Sequence, residues 1–220
     1  MAVFDLDGTL LNTSHSICET LTATLKELKL PLLDERKILT SIGLPLKEML
    51  SPLQFSDLTE QKVIERFREL LLSSIPKGVD TFPGVNQFVK ELDQKSVILG
   101  VATSKPTLLA KESMKFSSLN NFNFSILGSD GLVPKPNPEV ILRVIAQHPP
   151  GVKAVMFGDR VEDMQAATAA GIQSVGIAQS THSKDQLLIA GASLAYSNFE
   201  EAYDEFETVF ELFTSTRHDL

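Results

Sequence analysis

Short apolar runs rich in β-formers recur along this chain, at Ala2–Phe4, Val97–Ala102, Phe124–Leu127, Ala154–Phe157 and Gln173–Ile177, with a weaker one near Leu194–Tyr196. Between most of them lie amphipathic stretches of helical period. Phe88, Val89 and Leu92 share one face, and Val140, Ile141, Val144 and Ile145 share another. Strands that alternate with helices predict an α/β fold, because a connection between parallel strands must run back across a face of the sheet. The expected result is an open parallel sheet covered on both faces.

Residues 14–79 break the alternation. Ser16 and Glu19 have capping-box spacing, and Ile17, Leu21, Leu25 and Leu28 continue as an apolar stripe. Val63, Ile64, Phe67, Leu70 and Leu71 mark a second helix, ended by Pro76 and Gly78. No strand pattern lies between them. The economical organisation is a core formed by residues 1–13 and 80–220 with an all-helical insertion at 14–79. Leu11–Ser14 and Pro76–Pro83 then act as linkers or hinges.

The bulk composition excludes several functions. Cys18 is the single cysteine, so there is no intramolecular disulfide and no cysteine-based zinc cluster; on the apolar side of its helix it reads as a small buried hydrophobe. With 220 residues, 43% of them hydrophobic, the chain can build one large core plus a smaller lobe. A net charge of −8 suits nucleic acid poorly, since nonspecific binding there depends on neutralising phosphates with Lys and Arg. No segment approaches the roughly 20 apolar residues that cross a bilayer, and the N-terminus lacks a leader-like basic and apolar pattern. The expectation is a cytoplasmic protein without membrane or nucleic-acid partners. The stripe Phe199, Phe206, Val209, Phe210 and Phe213 reads as a helix packed on the core; left exposed it would serve a homodimer, so monomer and homodimer both stand.

Ligands of open parallel sheets gather at the carboxyl ends of the strands. Asp5 directly follows the first apolar run, and Asp5-Leu6-Asp7-Gly8-Thr9-Leu10 places two carboxylates two residues apart with Gly8 allowing a sharp turn. One carboxylate could attack phosphorus while the other moves protons; the plainer alternative is an Asp-Gly turn after a strand. Asp159 follows Ala154–Phe157 as Asp5 follows the first run. Two carboxylates at neighbouring strand ends, with a backbone carbonyl and water, form an oxygen-rich site suited to Mg²⁺. Asp163 either orients a metal-bound water from behind the ligands or serves as an acid at a helix N-terminus beginning near Val161.

The remaining polar groups fall where a phosphoryl site needs them. Val97–Ala102 ends in Thr103-Ser104-Lys105-Pro106, with Pro106 set to open a helix. A hydroxyl and backbone N–H groups there could hold phosphate oxygens. Lys135 lies in the proline-rich loop Val133-Pro134-Lys135-Pro136-Asn137-Pro138 and could neutralise a nucleophile and a transferring phosphoryl group; a solvated surface lysine is the alternative.

Taken in order, Asp-x-Asp-Gly-Thr, an apolar strand ending in Thr-Ser-Lys, Lys-Pro, and Gly-Asp-x-x-x-Asp resemble the haloacid-dehalogenase-like hydrolase superfamily over nearly the whole chain. The inserted helices and Phe82-Pro83-Gly84-Val85 resemble the branch of phosphoglycolate phosphatases with a small helical cap. The resemblance implies a Rossmann-like core with a cap domain at 14–79. It implies Asp5 as a nucleophile forming an aspartyl-phosphate, and Asp7 as the acid that protonates the leaving alcohol and then activates water. Mg²⁺ would be held by Asp5, the backbone carbonyl of Asp7, and Asp159, with Asp163 behind them. Thr103 and Lys135 would bind phosphoryl oxygens. Asp at position 7 favours phosphate chemistry over the dehalogenase and phosphonatase branches. One departure is Gly158-Asp159-Arg160, where many relatives carry Ser third; the arginine is expected to add a charge near the site mouth, and it resembles some nucleotidase-like members.

Within the insertion, Ser41-Ile42-Gly43-Leu44-Pro45-Leu46-Lys47-Glu48 resembles a substrate-specificity loop. Gly43 would let backbone approach a ligand and Lys47 would meet an anion, or the segment is a Gly/Pro-punctuated helix junction. Ser104 and Lys105 are further candidates for contacting substrate. The expected partner is a small phosphorylated metabolite, phosphoglycolate-like or nucleotide-like. The alternatives are a sugar-phosphate mutase, a pyrophosphatase, or a non-catalytic metabolite-binding or regulatory protein. An NAD enzyme is disfavoured because no Gly-x-Gly-x-x-Gly follows a strand. None of His15, His148, His182 and His218 is assigned a catalytic role.

Overall fold

Six strands form one parallel sheet: β1 (Ala2–Phe4), β2 (Leu99–Ala102), β3 (Phe124–Leu127), β4 (Val155–Gly158), β5 (Gln173–Ile177) and β6 (Leu194–Tyr196). The computed structural model describes residues 1–214, so His218 lies outside the described residues. The spatial order is β3-β2-β1-β4-β5-β6. The chain leaves β1 toward one edge and returns to its other side at β4, which makes the β1/β4 boundary the topological switch point where ligands bind in such sheets. Phe4 is in register with Val101 on one side and Phe157 on the other. The residues after β1, β2 and β4 therefore emerge together at one end.

Alternate residues of each strand enter opposite layers, as a period of two requires. Phe4, Val101 and Phe157 face one layer, with Phe88, Val89 and Leu92 of α5 (Val85–Gln94) and residues of α10 (Phe199–Asp204) and α11 (Phe206–Thr214). Phe4 stacks on Phe157 at 4.9 Å, and Phe88 meets Phe157 edge-on at 5.5 Å and Phe206 at 5.6 Å. The C-terminal aromatic stripe thus packs on the core, divided between two helices. Val3, Ala102 and Met156 face the other layer, covered by α7 (Glu139–Ile145) and α8 (Val161–Ala169). Two more helices, α6 (Thr107–Lys115) and α9 (Lys184–Ile189), complete the crossovers. β2 begins two residues later than the apolar run that announces it, because the amide of Val97 still closes the end of α5 on Leu92 O at 3.0 Å.

The insertion between β1 and α5 is all helical and contains α1 (Ser14–Glu27), α2 (Glu35–Ser41), α3 (Leu46–Leu50) and α4 (Asp57–Ser74). These pack around a cluster of their own: Ile17, Leu21, Leu25, Ile38, Met49 and Phe67 are among its buried members, with Cys18, and the core contributes Leu109 of α6. The two connecting segments lie against each other, Asn12 N donating to Asp80 O at 2.8 Å and Phe82 N to Leu10 O at 3.2 Å.

The structure corrects the expected capping box. Helix α1 starts at Ser14 with Thr13 as its flanking residue, and the Ser16 hydroxyl donates to Thr13 O at 3.0 Å. Ser16 is therefore already inside the first turn, and Glu19 instead pairs with His15 at 3.1 Å on the surface. Helices α2 and α3, of 7 and 5 residues, are too short to show a periodic stripe in the sequence.

Candidate active site

Asp5, Thr103 and Asp159 each follow the last residue of a strand, and all three are buried at the same end of the sheet. The amide of Asp5 donates to Phe157 O at 2.8 Å and that of Thr103 to Leu127 O at 3.2 Å. The ladder thus continues one residue past the strands and holds these backbones firmly.

Lys135 joins them from a loop 130 residues away in sequence. Its Nζ donates to Asp5 Oδ1 at 2.6 Å, Asp163 Oδ1 at 2.5 Å and Ala102 O at 3.2 Å, which uses all three ammonium protons. The side chain is buried, so it is not a solvated surface lysine. Burial alone would lower its pKa, but the carboxylates of Asp163 and Asp5 outweigh this and raise it. Asp163 Oδ2 also accepts from Arg160 N at 3.1 Å, so this residue both closes the N-terminus of α8 and orients Lys135.

Asp7 is bonded differently. Thr13 Oγ1 donates to its Oδ1 at 2.7 Å, and Lys105 Nζ reaches the same oxygen at 2.6 Å. Among the described residues no donor is bonded to Oδ2, and Asp7 lines the cavity under the helical insertion. Lys105, expected as a substrate contact, is engaged inside the protein: it is buried, and its charge is met by Asp7. Ser104 lines the same cavity, with its carbonyl accepting from Ser129 Oγ at 2.7 Å. Thr103 Oγ1 accepts from Lys105 N at 3.2 Å, which turns the backbone after β2.

Asp159 is held by Thr9 Oγ1 on Oδ1 at 2.7 Å and by the Ser180 hydroxyl on Oδ2. Gly8 has φ +91, and a Cβ there would sit 2.7 Å from Asp159 Oδ2. A side chain at position 8 would therefore collide with the carboxylate that the turn brings close.

Asp5, Asp159 and Asp163 form a buried group whose nearest ligand atoms lie within 4.8 Å of one another. Asp163 is thus beside the other two carboxylates, while Asp7 stands apart from that group with its side chain. Two ammonium groups, Lys105 on Asp7 and Lys135 on Asp5 and Asp163, serve four buried carboxylates, and the charge of Arg160, shared with Glu162, also draws on Asp159. Asp5 Oδ2 is buried with no hydrogen-bond partner. Desolvation, with Asp163 and Asp159 nearby, pushes the Asp5 carboxyl up to about 8 against the pull of Lys135; desolvation likewise pushes Asp159 up to about 6. Crowded, dehydrated oxygen ligands with a deficit of positive charge fit a divalent cation.

Arg160 departs from expectation. Its charge does not stand at an open mouth: the residue is 6% exposed, and Nη1 donates to Ile42 O at 2.9 Å and Thr40 O at 3.1 Å, with Nε on Glu162 at 3.2 Å. The C-terminal carbonyls of α2 lack intrahelical partners and attract a cation. Gly43 has φ +95, and a Cβ there would lie 2.5 Å from Arg160 Cδ. The close approach that Gly43 permits is thus to Arg160. Lys47 is exposed on the insertion and paired with Glu60 at 3.1 Å.

Thr9, Thr13 and Ser180, which position the carboxylates, were not assigned roles from the sequence. Thr9 lies inside the first motif and Thr13 just beyond it; Ser180 carries no local signal.

The family model described as haloacid dehalogenase-like hydrolase matches residues 2–177. A protein of Dickeya dadantii named "Probable phosphatase IndB" is 30% identical over 98% of this chain and 96% of its own length. A phosphoglycolate phosphatase of Pectobacterium atrosepticum is 29% identical over 79% of this chain and 78% of its own. The solved structure of a haloacid dehalogenase-like family hydrolase of Streptococcus pneumoniae superimposes with a TM-score of 0.80 at 27% identity, over 93% of this chain and 97% of that one. The chain accordingly belongs to the haloacid dehalogenase-like hydrolase family, as a phosphatase of its phosphoglycolate phosphatase-like branch.

Proposed function

We propose that the protein is a Mg²⁺-dependent phosphatase that hydrolyses a small phosphomonoester through an aspartyl-phosphate on Asp5. The observation that carries this reading is the pairing of an unpartnered oxygen on Asp5 with a second carboxylate, Asp7, that is fixed through one oxygen and open at the other.

Asp5 Oδ2 attacks phosphorus and the alcohol departs. Asp7 Oδ2 gives the alcohol its proton, then takes one from the water that cleaves the acyl phosphate, while Thr13 and Lys105 hold Oδ1 in place. Lys135 stays against Asp5 and offsets charge on the phosphoryl oxygens, with the Thr103 hydroxyl as a second donor at the end of β2. Asp5, Asp159 and the Asp7 carbonyl would hold Mg²⁺, with Asp163 behind them; the cation supplies the positive charge that keeps Asp5 ionised and balances the phosphoryl group. Residues 14–79 act as a cap over the strand ends, the paired segments at 11–14 and 76–83 serving as the hinge.

A Mg²⁺-supplemented screen of phosphorylated metabolites tests this, alongside Asp5→Asn. Expected are phosphate release that EDTA abolishes and an acid-stable, base-labile phosphoprotein absent from Asp5→Asn. Full activity in Asp5→Asn would remove Asp5 from its role.

A further inference from the structure

A cavity of about 160 Å³ separates the helical insertion from the strand ends. Its core side is polar and belongs to the catalytic group, with Asp7, Thr103, Ser104 and Lys105 on the wall. Its other side is apolar: Ile42 and Leu44 from the loop after α2, Leu46 from the start of α3, Phe67 and Leu71 from α4, and Leu109 from α6. A volume of this size matches a benzene-sized guest, and here it opens to solvent beside the polar wall.

The charges around this cavity make it a poor site for a small anion. Lys105 is bound to Asp7 at 2.6 Å and Lys47 to Glu60 at 3.1 Å. Arg160, behind Gly43, spends its guanidinium on two backbone carbonyls and Glu162. Arg68 is the remaining cation on the lining and is exposed, so an anion it meets stays in water. A second anionic group on the substrate, such as the carboxylate of phosphoglycolate, would find no buried, unpaired cation on this lining, and unpaired burial of a charge is costly. It would also leave most of the cavity unfilled.

We propose that the leaving alcohol carries an uncharged, largely apolar body the size of a six-membered ring, seated against Leu44, Leu46 and Phe67 while its phosphate lies at Asp5. This deepens the phosphatase reading and rests on it. The apolar wall comes mainly from the insertion and the chemistry from the strand ends, so closure of one on the other joins selection of the body to assembly of the site.

Calorimetric titration of the Mg²⁺-loaded protein with non-hydrolysable benzylphosphonate, methylphosphonate and phosphonoacetate reads the cavity directly. Benzylphosphonate is expected to bind tighter than methylphosphonate by on the order of tenfold or more, from burial of the ring, and phosphonoacetate no tighter than methylphosphonate. Leu44→Asp, on a half-buried loop position, is expected to collapse the benzyl-to-methyl ratio, and Leu46→Lys to do the same should the first variant fold poorly. Equal affinities, tightest binding of phosphonoacetate, or an unchanged ratio in a folded variant would overturn the assignment. In turnover, benzyl phosphate should exceed phosphoglycolate in kcat/KM. Hydrolysis of phosphoglycolate in preference to benzyl phosphate would overturn the body assignment and leave the phosphatase standing. Phosphate release from no monoester at all would overturn the phosphatase reading itself.

Discussion

Arg160 Nη1 donates to the carbonyl of Ile42 at 2.9 Å, across 118 residues of sequence. It is the residue next to Asp159, so the strand-end carboxylate and the loop that lines the cavity are tied through one side chain. Arg160→Ala should leave the sheet intact and loosen the loop at 40–47. Hydrogen exchange there should speed up, and KM should rise more than kcat falls. The stability cost should be about 1.5–3 kcal/mol, the range for hydrogen bonds to charged groups. Gly43→Ala disturbs the same packing from the other side, so the double variant should cost less than the sum of the two. Additive losses would mean that the two residues act independently.

Lys135→Met removes the cation between Asp5 and Asp163 and leaves two carboxylates facing each other in a buried site. Breaking a buried pair in this way costs about 3–5 kcal/mol. Urea unfolding in EDTA should show a loss of that order, and excess Mg²⁺ should return part of it. Phosphatase activity should fall by at least about a hundredfold, as for loss of an electrostatic stabiliser. An unchanged urea midpoint would show that the carboxylates have another counter-ion.

Metal removal gives a third test. A ligand that binds only the folded state at a hundredfold excess over Kd stabilises by about 2.7 kcal/mol. For a chain of this length that corresponds to about 5–10 °C in Tm. Addition of Mg²⁺ to EDTA-treated protein should raise Tm by this amount, and Asp159→Asn should abolish the rise. A rise of the same size in Asp159→Asn would place the cation elsewhere.

At the far edge of the sheet, Glu201 accepts from Ser197 N at 2.5 Å and Lys184 Nζ at 3.0 Å. These bonds, Ser197's foremost, hold its carboxyl down to about 2. A carboxylate with a lowered folded pKa contributes stability that is present above its unfolded value, about 4.3, and is lost as pH falls toward 2. The wild-type urea midpoint should therefore drop more steeply between pH 5 and pH 2.5 than that of Glu201→Gln. The difference should be small, because the side chain is 37% exposed and solvent screens it.

Much of the fold was legible before any coordinates. The short apolar runs matched all six strands to within two residues. β1, β2 and β4, buried at every position, read as near-continuous hydrophobic runs, while β3 and β6 lie at the sheet edges and are mostly half-buried. Asp5 and Thr103 were legible as polar residues directly after such runs, and Asp159 as the one following Gly158 at the end of another. The capping box at Ser16 failed because Thr13, three residues earlier, flanks the helix while its hydroxyl serves Asp7. Local spacing carries no trace of that distant demand.

The sequence by itself determined the parallel α/β core, the helical insertion and the identity of the carboxylates at the strand ends, since each follows from local hydrophobic period and from position along a strand. Only the tertiary structure decided which charges meet. Lys105 turned inward to Asp7, Lys135 lay between Asp5 and Asp163, and Arg160 reached across to Ile42. Those pairings join residues up to 130 positions apart, and they are set by desolvation. A buried charge must find its partner in the packed interior, wherever the chain has placed it.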